Sequence, residues 1–381
     1  MPTALPPTAL DRHWMGRALR LAALAEGLTS PNPLVGAVVL DANGLLVGEG
    51  FHRRAGGPHA ELHALAQAGE RARQGCIYVT LEPCCHHGRT PPCTEALLAA
   101  GLKRVVVAMA DPDPRVAGNG LNTLRQQGLE VCLGVREAEA RELNRAFLHR
   151  LRWGRPEGWL KWAMSLDGRT ALSNGVSQWI SAPPARDWVH RLRASCDAVI
   201  VGGGTVRADD PLLTSRGRRS PEPLRVVLSR NLELPERAQL WQTAEAATLV
   251  AHGPEAAASG RQRLERLGVE RLELAACEPQ ALLEALAQRG CNRVLWECGA
   301  DLATAALQQG CVQQLAAVIA PKLLGGRPAA TPLGELGLTA IPAELLQPPG
   351  TTSLRRLGHD LLWQLPINSA DPAALQIPPP L

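Results

Sequence analysis

The chain has 381 residues, 45% of them apolar and 20% charged, a length typical of two or three domains and a composition that excludes wholesale disorder. Its net charge of +4 and its aromatic content of 3% argue against a nucleic-acid surface, so we expect no nucleic-acid partner. The sequence shows neither an apolar run of roughly 18 residues nor an export signal. We therefore expect no membrane association and a cytoplasmic protein whose cysteines stay reduced or hold a metal.

The first half of the chain alternates between short apolar runs and segments with helical periodicity. Residues 1–10 are rich in proline, and we expect a flexible N-terminus there. The predicted strands are 35–40, 45–49, 77–81, 105–108 and 130–133. The predicted helices are 12–26, 59–73, 93–100, 121–127 and 137–151. This alternation predicts a layered α/β domain over residues 11–152.

A glycine- and proline-containing break over residues 153–158 predicts a linker to a second α/β domain at 159–366. The predicted strands of this domain are 159–164, 198–201, 225–228, 248–251 and 293–297. Its predicted helices are 182–195, 260–267, 279–288 and 302–309. Residues 367–381 carry several prolines and little apolar periodicity, which predicts a tail.

One histidine and two cysteines form a candidate metal site in the first half: His59, Cys84 and Cys93, each directly after a proline. One imidazole and two thiolates suit Zn²⁺ and leave a fourth position for water, whose pKa the metal lowers. Glu61 lies near these residues and can move protons as a general base and acid. The order of these residues is that of zinc nucleobase deaminases.

The two cysteines are separated by eight residues, more than in the short form of this motif. The insertion carries His86, His87 and Arg89, which could line a pocket for an anionic substrate. A structural zinc or a cluster of buried thiols is the alternative to a catalytic metal. We expect Cys85 to point away from the metal and His63 to lie on the helix surface.

Two glycine-bearing turns, 202–204 and 299–300, follow predicted strands of the second half, where bare backbone can approach a phosphate. Such turns suit a dinucleotide on an open sheet, although a single one is often only a turn. Arg193 and Arg216 suit a substrate phosphate, and Lys161 with Asp167 could be an ordinary surface pair.

These motifs resemble the bifunctional riboflavin-biosynthesis deaminase/reductase family over residues 11–366, including the long spacing between the two cysteines. The matching stretches are PNPLVGAVV (31–39), GEGFHRRAGGPHAELHAL (48–65), YVTLEPCCHHGRTPPCTEAL (78–97), DPDPRVAGNGL (111–121), LKWAMSLDGRTA (160–171), SQWI (177–180), GGGTVRADDPLLTSR (202–216), LWECGADLATAAL (295–307) and APKLLGG (320–326).

The resemblance implies a cytidine-deaminase-like layered α/β domain followed by a dihydrofolate-reductase-like α/β domain. It implies these zinc ligands and this proton shuttle: His59, Cys84, Cys93 and Glu61. It implies catalytic groups of the reductase at Lys161, Asp209 and Glu297. It implies substrate contacts at Asn32, His52, His86, Ser177, Arg193, Leu213, Arg216 and Glu297. It implies NADPH contacts at Ala163, Trp179, Thr205, Asp209, Gly299, Ala300, Asp301, Leu302, Ala303, Thr304 and Ala305.

The resemblance also implies two reactions on one small-molecule substrate. The first is zinc-dependent hydrolytic deamination of 2,5-diamino-6-(5-phosphoribosylamino)pyrimidin-4(3H)-one, and the second is NADPH-dependent reduction of its ribosyl side chain to ribityl. We expect a homo-oligomer, a dimer or a tetramer. Two other functions stay open from the residues alone: a nucleic-acid-editing zinc deaminase with an appended binding domain, and a non-catalytic, zinc-stabilised interaction protein.

Departures from the family pattern are few. Cys85 stands where serine is common, and Ala163-Met164 replaces smaller residues beside the expected nicotinamide. Ser229-Arg230 replaces an Asp-Ser type of pair, and Arg230 is a candidate contact for a 2′-phosphate.

Overall fold

The computed structural model describes residues 7–85, 92–113, 117–327, 329–339 and 353–367. The chain divides into two compact units, Met1–Trp153 and Gly154–Leu381. No helix in the described ranges is long and apolar enough to cross a membrane.

The first unit is a five-stranded sheet with helices on both faces. Its strands are β1 (Gly36–Leu40), β2 (Leu46–Phe51), β3 (Cys76–Leu81), β4 (Arg104–Met109) and β5 (Glu130–Leu133). Its helices are α1 (Ala9–Ala23), α2 (Ala60–Ala68), α3 (Cys93–Ala99), α4 (Asn119–Gln126), α5 (Glu137–Leu143) and α6 (Arg145–Trp153). The strand order is β2-β1-β3-β4-β5, with β1 antiparallel to both neighbours and β3, β4 and β5 parallel.

Both faces of this sheet are buried, which explains its continuous apolar strands. Along β4, Val105 and Val107 join one hydrophobic cluster with α2, α3 and α4, while Val106 and Ala108 join another with α1 and α5. The alternation follows from the period of two in a strand. The predicted layered α/β architecture of this half is confirmed.

Helix α1 begins at Ala9, three residues before the predicted start at residue 12, so that Ala9 and Leu10 are helical. The cause is a capping box in which the Thr8 hydroxyl accepts a hydrogen bond from Asp11 N, and the Asp11 carboxylate accepts one from Thr8 N. Asp11 also forms an ion pair with Arg104 at 2.7 Å, which ties the first helical turn to β4.

Two predicted helices are interrupted. The predicted helix 59–73 ends as an α-helix at Ala68 and continues as the 3₁₀-helix Gly69–Ala72, since Gly69 adopts a φ of 55°. The predicted helix 137–151 is two helices, and it breaks at Asn144. The Asn144 side chain hydrogen-bonds both the backbone N–H and the carbonyl of Leu34, a long-range contact that fixes the chain there.

The second unit is a nine-stranded sheet flanked by helices. Its strands are β6 (Glu157–Ser165), β7 (Ala198–Gly202), β8 (Leu224–Leu228), β9 (Thr248–His252), β10 (Glu270–Glu273), β11 (Arg293–Trp296), β12 (Gln314–Ala320), β13 (Ser353–Leu357) and β14 (Asp360–Pro366). Its helices are α7 (Pro183–Ala194), α8 (Gly203–Asp209), α9 (Ala258–Arg266), α10 (Pro279–Gln288) and α11 (Ala300–Gln308), with a 3₁₀ turn at Gln239–Trp241.

The strand order is β10-β9-β8-β7-β11-β6-β12-β14-β13, parallel from β10 to β12 and antiparallel at β14 and β13. Strands β6, β7 and β11 are therefore neighbours, and their carboxyl ends lie at one edge of the sheet. Ligands of open parallel sheets bind at this edge. Two hydrophobic clusters fill the two faces, and every member of both lies in this unit.

The predicted linker at 153–158 is shorter in the structure. Trp153 ends α6 and Glu157 begins β6, where its carboxylate accepts a hydrogen bond from Arg293 Nε at 3.0 Å, so only residues 154–156 separate the two elements. Of the predicted tail, Ile367 is buried and donates a backbone hydrogen bond to Gln313 O, and residues 368–381 lie outside the described ranges.

Candidate functional site

Two helix N-termini and the segment after one strand of the first unit converge on the candidate zinc site. His59 is the N-cap residue of α2, Cys93 is the first residue of α3, and Cys84 follows the end of β3. The ligand atoms of these three residues all lie within 4.8 Å of one another. His59 Nδ1 is 3.2 Å from Cys93 Sγ and 3.6 Å from Cys84 Sγ. Three donors thus face one point.

The donor set fits zinc in its chemistry as well as in its spacing. Hydrogen bonds from the Cys93 thiol, His59 and the Cys93 backbone lower the pKa of Cys84, which favours the thiolate that binds metal. One imidazole and two sulfur donors leave a tetrahedral ion one further position. Neither Cys85 nor His63 belongs to the group of ligand atoms found in the described ranges.

Glu61 is the second residue of α2 and is 3% exposed. Its Oε2 atom is buried and has no hydrogen-bond partner among the described residues. Burial raises the pKa of this carboxyl, so it can hold a proton closer to neutral pH than an exposed glutamate. A buried carboxyl with one free oxygen beside a metal site is suited to proton transfer.

Asn32 and His52 form a chain of contacts that reaches the candidate zinc site. The His52 ring has Nδ1 at 3.1 Å from Pro58 O and Nε2 at 3.1 Å from Asn32 Nδ2. Since the carbonyl can only accept, Nδ1 donates and Nε2 accepts from the amide, which fixes a neutral ring. Burial also lowers the pKa of His52. This ring meets His59 edge-on, with centroids 5.5 Å apart.

The structure therefore brings two of the three expected pyrimidine contacts, Asn32 and His52, beside the candidate zinc ligands. Their contact with substrate stays a prediction. His86, the third, lies outside the described residues, as do His87 and Arg89.

Glu82 is a residue whose role the sequence did not reveal. Its buried carboxylate accepts backbone hydrogen bonds at 2.9–3.3 Å from Asp111, Gly118, Gly120 and Leu121. A Cβ at Gly120 would lie 2.2 Å from Pro83 O, so this loop packs directly on the segment that leads to Cys84. The position of Glu82 between a buried strand and a Pro-Cys pair was the available sequence signal.

In the second unit, two cations surround the carboxylate of Glu297, which follows β11. Arg193 on α7 approaches it with Nε 2.5 Å from Oε1 and Nη2 3.1 Å from Oε2. Lys161 on β6 places Nζ 3.5 Å from Oε2. The three side chains are only 10–16% exposed. Although burial alone would raise it, Arg193 and Lys161 hold the pKa of Glu297 at about 2.

Arg193 also donates to Thr214 O at 3.0 Å, so the donors that would grip a phosphate side by side are already engaged within the protein. Arg216 differs from it. Its side chain is exposed, and no acceptor for it exists among the described residues. Leu213 is 2% exposed, and both Leu213 and Arg216 have a φ of 58°, a left-handed conformation that is uncommon outside glycine and clusters at functional sites.

Ser177 and Asp209 lie together: Ser177 Oγ donates to Asp209 Oδ1 at 2.7 Å. Asp209 is the last residue of α8, a helix that the sequence did not predict. Trp179 is 62% exposed, and the Arg186 guanidinium lies 4.5 Å from its ring centroid. An exposed aromatic face of this kind can stack on a planar ligand.

The two predicted glycine turns meet at the ends of β7 and β11. A Cβ at Gly299 would lie 3.9 Å from Thr205 Oγ1, so the start of α11 contacts the start of α8. The other expected cofactor residues of this turn lie in the first six positions of α11: Ala300, Asp301, Leu302, Ala303, Thr304 and Ala305. Ala163 lies on β6, opposite Val318 of β12. Contact with NADPH stays a prediction for all of these residues.

Asp167, expected as a possible surface partner of Lys161, has another role. Its carboxylate accepts hydrogen bonds from Ser165 Oγ, from Leu324 N at 3.1 Å and from Gly325 N at 2.7 Å. These bonds lower the pKa of Asp167 to about 2. The loop after β12 is thereby fastened to the end of β6.

Two family models match the chain. The cytidine and deoxycytidylate deaminase zinc-binding region matches residues 8–109, and the RibD C-terminal domain matches residues 156–356. The riboflavin biosynthesis protein RibD of Synechocystis sp. is 51% identical over 327 residues, which cover 86% of this chain and 89% of that protein. The Escherichia coli protein of the same name is 44% identical over 83% of this chain and 89% of its own length.

Solved structures agree with these matches. A structure of Acinetobacter baumannii RibD superposes with a TM-score of 0.83 at 40% identity, covering 94% of this chain and 99% of the other. A diaminohydroxyphosphoribosylaminopyrimidine deaminase/5-amino-6-(5-phosphoribosylamino)uracil reductase from Thermotoga maritima does so with a TM-score of 0.83 at 33% identity and the same coverage. With its convergent zinc donors and its glycine turns at the sheet edge, the chain belongs to the RibD family of riboflavin-biosynthesis enzymes, in which a zinc-dependent deaminase precedes an NADPH-dependent reductase.

Proposed function

We propose that the chain deaminates 2,5-diamino-6-(5-phosphoribosylamino)pyrimidin-4(3H)-one in the domain predicted over 11–152. The domain predicted over 159–366 then reduces the ribosyl group of the product to ribityl. The observation that carries this proposal is the convergence of His59, Cys84 and Cys93 beside the buried Glu61 Oε2, which has no hydrogen-bond partner in the part of the chain that the structure describes.

For the deamination, His59, Cys84 and Cys93 would hold the zinc ion. When bound, zinc lowers the pKa of a coordinated water and so supplies a nucleophile near neutral pH. Glu61 accepts a proton from the attacking water and passes it to the departing amine. The ring carbon gains a C–O bond as its C–N bond breaks, and ammonia leaves. The Asn32 amide and the His52 ring, fixed by its bond to Pro58, orient the pyrimidine.

For the reduction, the side chains of the second unit bind the sugar and supply a proton. When bound, NADPH supplies the hydride. Glu297 is held ionised by Arg193 and Lys161, and its carboxylate holds the Lys161 side chain in place. Lys161 then donates a proton to the sugar ring oxygen as C1′ accepts the hydride, which opens the ring. We assign the contact with the substrate and the nicotinamide to Asp209, which accepts a hydrogen bond from Ser177 Oγ.

The substrate phosphate is assigned to Arg216, since its guanidinium has no acceptor in the described chain and Arg193 is already engaged. The cofactor phosphates are assigned to the turn from Gly299 to Ala305, where the N-terminus of α11 presents backbone N–H groups.

The test incubates purified protein with the pyrimidine nucleotide, with and without NADPH, and identifies the products by mass. Without NADPH we expect ammonia and the deaminated ribosyl compound, and with NADPH the ribityl compound. Glu61→Gln should lower ammonia release by about a thousandfold or more, the scale for losing a general acid-base group, and leave NADPH oxidation on deaminated substrate unchanged. The matched control is Glu70→Gln, an exposed carboxylate in the same unit. Normal ammonia release by Glu61→Gln would overturn the assigned role.

We also propose a homo-oligomer, a dimer or a tetramer, in the cytoplasm. Leu354, Leu361 and Trp363, which are 41–64% exposed, share one face of the hairpin at the edge of the second sheet, an apolar surface that a second copy could cover. Light scattering should give twofold or fourfold the chain mass, and a monomer would refute this. The free thiols at the zinc site suit a reducing compartment, which cell fractionation tests.

A further inference from the structure

We propose that Glu222 is a positioning residue of the reductase site, which holds Arg216 in the conformation that receives the anionic end of the substrate. This inference rests on the proposed function, in which Arg216 binds the substrate phosphate. Glu222 lies in the segment before β8 and does not belong to the predicted site.

The carboxylate of Glu222 bonds the backbone on both sides of Arg216. Oε2 accepts a hydrogen bond from Ser215 N at 2.5 Å, and Oε1 accepts one from Gly217 N at 2.9 Å. Ser215 is fully buried, and its hydroxyl accepts a further bond from Arg219 N at 3.2 Å. The peptide groups that flank Arg216 are therefore fixed from the inside of the turn.

The conformation held in this way is one that arginine seldom adopts. Arg216 has a φ of 58°, in the left-handed region that favours glycine, and Leu213 three residues earlier has the same value. Strained backbone of this kind persists only where the surrounding structure over-determines it. The two bonds to Glu222 supply that restraint at Arg216. Burial would raise the pKa of Glu222, but these bonds and the Arg219 charge keep it lowered, so the carboxylate is ionised at neutral pH.

Arg216 also differs from the neighbouring arginines in its hydrogen-bond and ion-pair partners. Arg193 bonds Glu297 and Thr214 O, Arg218 forms an ion pair with Asp187, and Arg219 donates to Cys196 O. Among the arginines around this turn, Arg216 alone has no acceptor in the described ranges. The turn thus presents the Arg216 guanidinium with its donors available to a ligand.

A further group faces the same place. His190 lies one helical turn before Arg193 on α7, and its buried Nδ1 has no hydrogen-bond partner among the described residues. Arg193, Arg216 and Arg218 all act on it electrostatically, as does Glu297. Because Arg193 and Arg218 are paired with Glu297 and Asp187, Arg216 supplies the positive charge that has no ion-pair partner among the described residues, as an anionic substrate group requires.

A double-mutant cycle on the full chain with zinc bound tests the inference, with deaminated ribosyl phosphate substrate and saturating NADPH. Arg216→Ala should raise KM for this substrate about tenfold or more, the cost of one charge-assisted phosphate contact. Glu222→Ala should raise KM for this substrate roughly fivefold and change kcat by no more than about twofold. The KM of Glu222→Gln, which keeps one acceptor oxygen, should lie between those of the native chain and Glu222→Ala. The double variant should match Arg216→Ala alone, because Glu222 acts through Arg216.

Two measurements distinguish a positioning role of Glu222 from a general effect of its replacement on the structure. KM for NADPH and the rate of ammonia release should stay unchanged in Glu222→Ala, and with the dephosphorylated substrate its KM effect should vanish. Glu236→Gln, an exposed carboxylate in the same unit, is the matched control. Additive effects of Glu222→Ala and Arg216→Ala, or an unchanged KM in Glu222→Ala, would overturn the inference. An unchanged KM in Arg216→Ala would instead overturn the phosphate assignment of the proposed function.

Discussion

Replacement of Arg193 should show how much the neighbouring cations Arg193 and Lys161 stabilise the ionised, buried carboxylate of Glu297. The pKa of Glu297 is about 2 in the folded chain, against an ordinary value of 4.5. Each tenfold change in an ionisation constant is about 1.4 kcal/mol, so Arg193 and Lys161 together stabilise the folded state by about 3 kcal/mol, net of burial. Arg193 has the closer contacts, and we expect Arg193→Met to lower the free energy of unfolding by about 2 kcal/mol at pH 7.

The effect should depend on pH in one direction. Because the folded pKa lies below the unfolded value, the contribution of Glu297 is complete above about pH 4.5 and is lost as the pH falls toward 2. The difference in the free energy of unfolding between the native chain and Arg193→Met should therefore narrow by roughly 1 kcal/mol between pH 7 and pH 3.

Urea unfolding followed by tryptophan fluorescence measures this difference, since seven of the nine tryptophans lie in the second unit. Arg191→Met is the matched control on the same helix, because its pair with Asp187 is exposed and should contribute less than about 0.5 kcal/mol. A difference in the free energy of unfolding that is equal at pH 7 and pH 3, or no larger than in the control, would refute the reasoning.

Three further predictions concern other parts of the chain. Cys84→Ser should abolish bound zinc, measured by elemental analysis, and retained zinc would contradict the ligand assignment. Asp11→Asn should lower the free energy of unfolding by about 2 kcal/mol above pH 4, because the pKa of Asp11 is about 2 in the folded chain against an ordinary value of 3.8. This loss should shrink as the pH falls toward 2. A loss that does not depend on pH would exclude the ion pair as its cause. Arg225→Met should cost about 3 kcal/mol in urea unfolding, because the fully buried guanidinium bonds five carbonyls, and a neutral effect would show that the segment closes without it.

The convergence of His59, Cys84 and Cys93 was predictable because each of these residues follows a strong local signal. Proline directly before His59, Cys84 and Cys93 marks the junctions between loops and elements, and the apolar runs beside them mark strand β3 and helices α2 and α3. Local signals also predicted strand β5 and helix α10 at their observed bounds.

Other features depend on contacts between distant residues and leave little local trace. Helix α8 begins with two glycines, which are poor helix formers, and strand β13 reads Ser-Leu-Arg-Arg-Leu with its three central residues exposed. The break at Asn144 is caused by a residue 110 positions earlier. The carboxylates of Glu82 and Glu222 accept hydrogen bonds from backbone N–H groups, and such contacts leave no side-chain pattern in the sequence from which they could be predicted.

The four hydrophobic clusters have a genetic consequence. Each draws the members found in the described ranges from one unit alone, two from the first and two from the second. We therefore expect a substitution that disrupts the hydrophobic clusters of one unit to leave the clusters of the other unit intact. Two defective alleles, one damaged before residue 153 and one after it, should restore growth without riboflavin when expressed in one cell.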